Sequence, residues 1–152
     1  MPPLTHDFKE FLHLLNSAKI EYLLIGGYAV GLYGYGRPTK DIDIWIAKSS
    51  ENLQAVIEVL VKFGFPRLTV DDFRTDQNVF RMGISPNRIE VITKISGVDF
   101  VDCFSRRQAF QIEGIDVQVI DYEDLKRNKV ASGRVHDVAD VERLERARSR
   151  KA

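Results

Sequence analysis

Residues 24 to 46 read LIGGYAVGLYGYGRPTKDIDIWI: an apolar run closed by two adjacent glycines and, thirteen residues later, a second apolar run opened by aspartates at 41 and 43. Side chains two positions apart on a strand share a face and stand ~6.5 to 7 Å apart along the backbone. Asp41 and Asp43 therefore lean toward one point, while Ile42, Ile44 and Ile46 face the other way. Two carboxylates on one face repel each other and are costly to desolvate unless a cation stands between them. Magnesium suits that position, because it prefers oxygen ligands and is commonly shared between one or two carboxylates and substrate phosphates. A solvated edge strand can present the same D-x-D, so its neighbours must decide between the two readings.

The neighbours favour phosphate chemistry. Gly26 and Gly27 end the preceding strand, where missing side chains let a phosphate reach backbone amides, and the short YAVGLY helix adds its positive end. A third carboxylate, Glu90, lies in NRIEVIT with parity opposite to Ile89 and Val91. It faces away from them, and an adjacent strand can bring it beside the aspartates. Three carboxylates around magnesium would let one activate an attacking hydroxyl while the metal holds a triphosphate in line. Two other phosphate motifs fail. Gly31 and Gly36 have P-loop spacing, but Arg37 and Pro38 occupy the places of Lys and Ser or Thr. The glycine spacing of a dinucleotide fold is also absent.

The rest of the chain supplies a framework of alternating elements. Thr5 caps a helix to about Ala18, with Phe8, Phe11, Leu12 and Leu15 on one face. EYLLIGG and DIDIWIA read as strands, Ser50 to Phe63 as an amphipathic helix stopped at Gly64, and NVFRMGI with RIEVITK as strands joined by SPN. FQIEGIDVQVI reads as a hairpin about Glu113 and Gly114, and helices follow from Tyr122, interrupted at Gly133, with Asp121 as the first cap. The order predicts an α/β (α+β) chain, a mixed sheet flanked by helices. At 152 residues and 44% hydrophobic, one core is expected: a single domain over 1–152, with a sheet core over 1–120 and helices over 121–152.

Composition excludes other classes. Lys plus Arg and Asp plus Glu both number 22, so no global field draws the chain to nucleic acid or an anionic membrane, and any such partner needs a local patch. MPPLTHDF lacks a signal peptide's charged and apolar regions, and the longest uncharged run, Tyr22 to Gly36, is too short to span a bilayer. The single Cys103 forms no internal disulfide and suits a buried position. A soluble cytoplasmic protein is expected. His6, His13 and His136 lack zinc spacing, and the basic tail ERLERARSRKA reads as a solvated helix end, or as a phosphate-contacting tail for RNA.

The strand, GG, DIDI and a later acid resemble the nucleotidyltransferase superfamily with its DNA polymerase beta-like core. The glycine and aspartate block most resembles small bacterial nucleotidyltransferases related to abortive-infection toxins and to minimal nucleotidyltransferase antitoxins. YEDLKRNKVASGRVHDVADVERL is similar to their C-terminal segment. The resemblance implies a nucleotidyltransferase fold with C-terminal helices, a nucleoside triphosphate substrate and Mg2+ or Mn2+ bound by Asp41, Asp43 and Glu90. Glu90 would be the base, Gly26 and Gly27 the phosphate-facing turn, Lys129 a phosphate contact, and Arg37, Thr39 and Lys40 the lining of the entrance. Many members have serine at the second glycine and aspartate as the third acid, so Gly27 and Glu90 depart from the pattern. Implied acceptors are RNA ends, protein hydroxyls and small molecules, with a homodimer or toxin–antitoxin partner supplying a missing wall. The alternative is a silent nucleotide- or partner-binding module of antitoxin type. Trp45 reads as packing rather than base stacking, and Tyr33 and Tyr35 read more readily as structural residues than as the border of a base pocket. Arg134 and Asp137 read as a structural pair.

Overall fold

The computed structural model describes residues 4–34, 41–74, 79–83 and 87–151. The first helix, α1 (His6–Ser17), starts where the Thr5 hydroxyl accepts the Phe8 amide at 3.2 Å, and it buries Phe8, Phe11, Leu12 and Leu15. Strand β1 (Tyr22–Ile25) is buried throughout and runs directly into α2 (Gly26–Tyr33). Strand β2 (Ile42–Ile46) and helix α3 (Ser50–Lys62) follow, the helix capped by Ser49 and ended before Gly64, whose φ is +101°.

A 3-10 turn (Val70–Arg74) leads to β3 (Val79–Met82) and β4 (Ile89–Ile92). Next come α4 (Phe100–Ser105), β5 (Gln108–Ile112) and β6 (Ile115–Val119). Helices α5 (Tyr122–Ser132) and α6 (Val135–Lys151) complete the described chain, separated by Gly133 in the left-handed conformation. Asp121 caps α5, and Glu113 and Gly114, both with positive φ, turn β5 into β6, as their sequence predicts. The 3-10 turn and α4 escape sequence periodicity. Phe100 and Phe104 of α4 stack at 5.4 Å and Phe100 meets Trp45 edge-on at 5.0 Å, so tertiary packing holds this six-residue helix.

The six strands form one mixed sheet in the order β3-β4-β2-β1-β6-β5. Hairpins close both edges, β1 and β2 are antiparallel at the centre, and β2–β4 and β1–β6 are parallel. Helix α1 packs with α3, while α2, α5 and α6 pack together. The strand directions bring the end of β1, the start of β2 and the start of β4 to one edge of the sheet, and that edge carries the predicted acids. No helix of the described residues is long and apolar enough to cross a membrane.

Candidate active site

Register assembles the site. Ile25 pairs with Asp43 across β1–β2, and Asp43 pairs with Glu90 across β2–β4. Neighbours directly opposite in a sheet share a face, so the two acids stand side by side while Ile42, Ile44, Ile89 and Val91 fill the core beneath. Gly26 lies against the pair: its φ is +70°, and a Cβ there would come within 2.1 Å of Asp43 Oδ2. Only glycine tolerates both the dihedral and the contact. Gly27 follows in the first turn of α2.

Asp43 is nearly buried, and burial raises its carboxyl to about 8, reinforced by the hydrogen bond and negative charge of Glu90 and opposed by the Lys129 ammonium. Asp43 therefore keeps its proton across neutrality in the metal-free protein. Glu90 Oε1 also meets Arg81 Nε at 3.0 Å and Arg88 Nε at 3.4 Å. Arg88 reaches Asp41 Oδ2 through Nη2 at 3.1 Å, so one guanidinium joins Asp41 to Glu90.

Asp43, Glu90 and Arg81 face a cleft of about 270 Å³, lined also by Gly26, Lys94, Asn128, Lys129 and Arg134 among others. Lys129 is buried, with Nζ 3.0 Å from Asp137 Oδ1 and 3.3 Å from Asp140 Oδ2. Arg134 Nε and the Ser132 hydroxyl donate to the other Asp137 oxygen. Burial opposes ionisation of Asp137, but hydrogen bonds from Ser132, Lys129 and Arg134 and the Lys129 charge prevail and hold its pKa at about 2.

The donor set fits a hard divalent cation. Asp43 Oδ1 is buried without a hydrogen-bond partner, and it abuts a second carboxyl that shares its charge burden. Among the described residues no three His, Cys, Asp or Glu side chains already form a metal-holding group. Asp41 is held instead by Arg88 and is not among the residues lining the cleft.

Of the sequence-predicted residues, Gly26, Asp43, Glu90 and Lys129 meet at one cleft, and Asp41 joins through Arg88. Arg37, Thr39, Lys40 and Tyr35 lie outside the described residues. Trp45 is buried against Phe100, and Tyr33 donates to the Ile120 carbonyl at 2.7 Å and packs on Phe110 and Tyr122. Arg134 and Asp137 do pair, but Arg134 also lines the cleft. Sequence reading missed Arg81, Arg88 and Lys94. Arg88 and Lys94 flank β4 at the sequence parity of Glu90, a signal present in the sequence, whereas Arg81 needed the β3–β4 register.

Solved structures share this arrangement at the level of fold. A candidate nucleotidyltransferase from Thermotoga maritima is 15% identical with a TM-score of 0.58, covering 88% of this chain and 87% of that one. The lincosamide antibiotic adenylyltransferase LnuA, solved with lincomycin, is 16% identical with a TM-score of 0.55, covering 95% and 98%. ANT(2")-Ia, solved with adenylyl-2"-tobramycin, is 14% identical with a TM-score of 0.54, covering 95% and 96%. The mixed sheet and its helices thus have the nucleotidyltransferase fold. Residues 4–147 match the family described as "nucleotidyltransferase of unknown function (DUF6036)", and the chain belongs to that family. A search of curated proteins finds no match.

Proposed function

We propose that the chain, as one domain over 1–152, is a metal-dependent nucleotidyltransferase that moves a nucleoside monophosphate from a nucleoside triphosphate to a hydroxyl acceptor. The observation that supports this most is the in-register pairing of Asp43 with Glu90 beside the positive-φ turn at Gly26. Asp43 and Glu90, with Asp41, are the residues to hold Mg2+ or Mn2+. Such an ion, when bound, neutralises the triphosphate and polarises its reacting phosphoryl group. The Gly26–Gly27 turn presents backbone amides to phosphate, and Arg81, Lys94 and Arg134 give the cleft positive charge. Lys129, held by Asp137 and Asp140, sets the positive potential beneath Asp43.

Glu90 takes the acceptor hydroxyl's proton. The acceptor oxygen then bonds to the α-phosphorus as the bond to the bridging oxygen breaks, and pyrophosphate leaves with that electron pair. The adenylyltransferase neighbours favour an adenylyl group moved to a small-molecule hydroxyl; RNA ends and a partner protein's hydroxyl are the other acceptors. A cytoplasmic toxin–antitoxin or phage-defence role, with a homodimer or partner completing the acceptor wall, belongs to the same reading.

One feature favours a second reading. Glu90 and Lys129 are each already engaged by two opposite charges, as a silent docking module of antitoxin type would tolerate. Incubation with α-labelled triphosphates, Mg2+ and the three acceptor classes, beside Asp43→Ala, separates the readings. Label transfer lost in the variant supports the enzyme. Transfer unchanged in the variant rejects this mechanism, and absence of triphosphate binding supports the docking module.

A further inference from the structure

Arg88 stands between two of the acids. Its fork spans two of the acids, with Nη2 at 3.1 Å from Asp41 and Nε at 3.4 Å from Glu90. Nε is buried and makes no hydrogen bond with good geometry, so the Glu90 contact is a loose ion pair. Arg81 lies at 3.0 Å on the same Glu90 oxygen and leaves Arg88 no exclusive partner there. The guanidinium thus occupies Asp41 and Glu90, two of the carboxylates that would hold a divalent cation.

A cation taking Asp41 and Glu90 must displace that guanidinium, and an arginine stripped of its carboxylates needs another anion. The triphosphate arriving with the cation is such an anion, and a planar five-donor fork matches phosphate oxygens as it matches carboxylates. We propose that Arg88 exchanges its carboxylates, Asp41 and Glu90, for the triphosphate when the divalent cation arrives. This rests on the nucleotidyltransferase reading and adds a residue with a distinct partner in each state. In the metal-free protein Arg88 keeps Asp41 and Glu90 from repelling each other; in the loaded protein it contacts phosphate.

Calorimetric titration of the whole chain with Mn2+ alone, and then with α,β-methylene-ATP at saturating Mn2+, tests the exchange in Arg88→Gln and Arg81→Gln. Removing the competitor should tighten Mn2+ binding about threefold or more in Arg88→Gln, because the competent state no longer has to be freed. Loss of one charged hydrogen bond should weaken the analogue roughly tenfold in the same variant. Arg81→Gln removes equal charge from Glu90 without freeing Asp41, and should change Mn2+ affinity less. Equal tightening in both variants, or none in Arg88→Gln, would overturn the competition. Undiminished analogue binding in Arg88→Gln would overturn the phosphate contact. If the wild-type chain binds neither probe, the nucleotidyltransferase reading itself fails and the exchange falls with it. A thermal melt of each variant confirms that it is folded.

Discussion

Gly26 and Asp43 touch so closely that a methyl group on the glycine would lie 2.1 Å from the carboxylate oxygen. The turn and the acid are thus one structural unit, because the φ of +70° at Gly26 both ends β1 and makes room for Asp43.

Gly26→Ala follows from that contact. An L side chain in the left-handed region costs about 1–2 kcal/mol, and the displaced carboxylate adds to it. The expected loss is at least about 2 kcal/mol, read as a fall in the urea midpoint, and nucleotide transfer should be lost together with triphosphate binding. A variant as stable and active as the parent would show that the turn is not tight against the acid.

Metal-free stability should fall as pH rises across neutrality. Asp43 ordinarily loses its proton near 3.8, but in the folded chain it holds it to about 8, so between these values the native state binds more protons than the unfolded one. Stability then decreases with pH through this window, the sign opposite to that of an ion-paired carboxylate. Asp43→Asn, which needs no proton, should flatten the slope, and Mg2+ should reduce it by taking the proton's place. Melting temperatures from pH 4 to 8 check all three outcomes.

Local sequence rules place most of this framework. Thr5 and Asp121 cap helices as the sequence predicts, and the parity of Glu90 against Ile89 and Val91 puts it on the face of Asp43. What escapes has a long-range cause. Helix α4 depends on Trp45 and the Phe100–Phe104 stack rather than on periodicity. The Arg88 link between Asp41 and Glu90 depends on the β2–β4 register, and the double anchoring of Lys129 on how α6 packs against α5. A lone Lys, Asp137 and Asp140 in sequence do not disclose that they meet.

The Lys129 cluster is a stability element whether or not it contacts phosphate. Lys129→Met leaves Asp137 and Asp140 buried without their shared cation, for which a loss of about 3–5 kcal/mol is expected. In a chain of this size that lowers the melting temperature by roughly 10 °C. Asp137 has a depressed pKa of about 2, so its contribution is present above the ordinary carboxylate range and fades as pH falls toward 2. Acid titration of the parent should show this loss, and Asp137→Asn should abolish that part of it. If Lys129→Met melts with the parent, the buried charges are not what holds α5 to α6.

Glu90 separates binding from chemistry. Glu90→Gln keeps the shape and the β2–β4 register but removes the proposed base and the charge that Arg81 and Arg88 face. General base catalysis contributes about 10²–10⁴-fold, so transfer should fall by that factor while binding of a non-reactive triphosphate analogue changes far less. Glu90→Asp restores the carboxylate one methylene shorter and should recover part of the rate, with a pH profile displaced from the parent's. A Gln variant that retains transfer would move the base elsewhere in the cleft. One that loses analogue binding as completely as transfer would make the hold of Glu90 on the cation, and not proton removal, its main contribution.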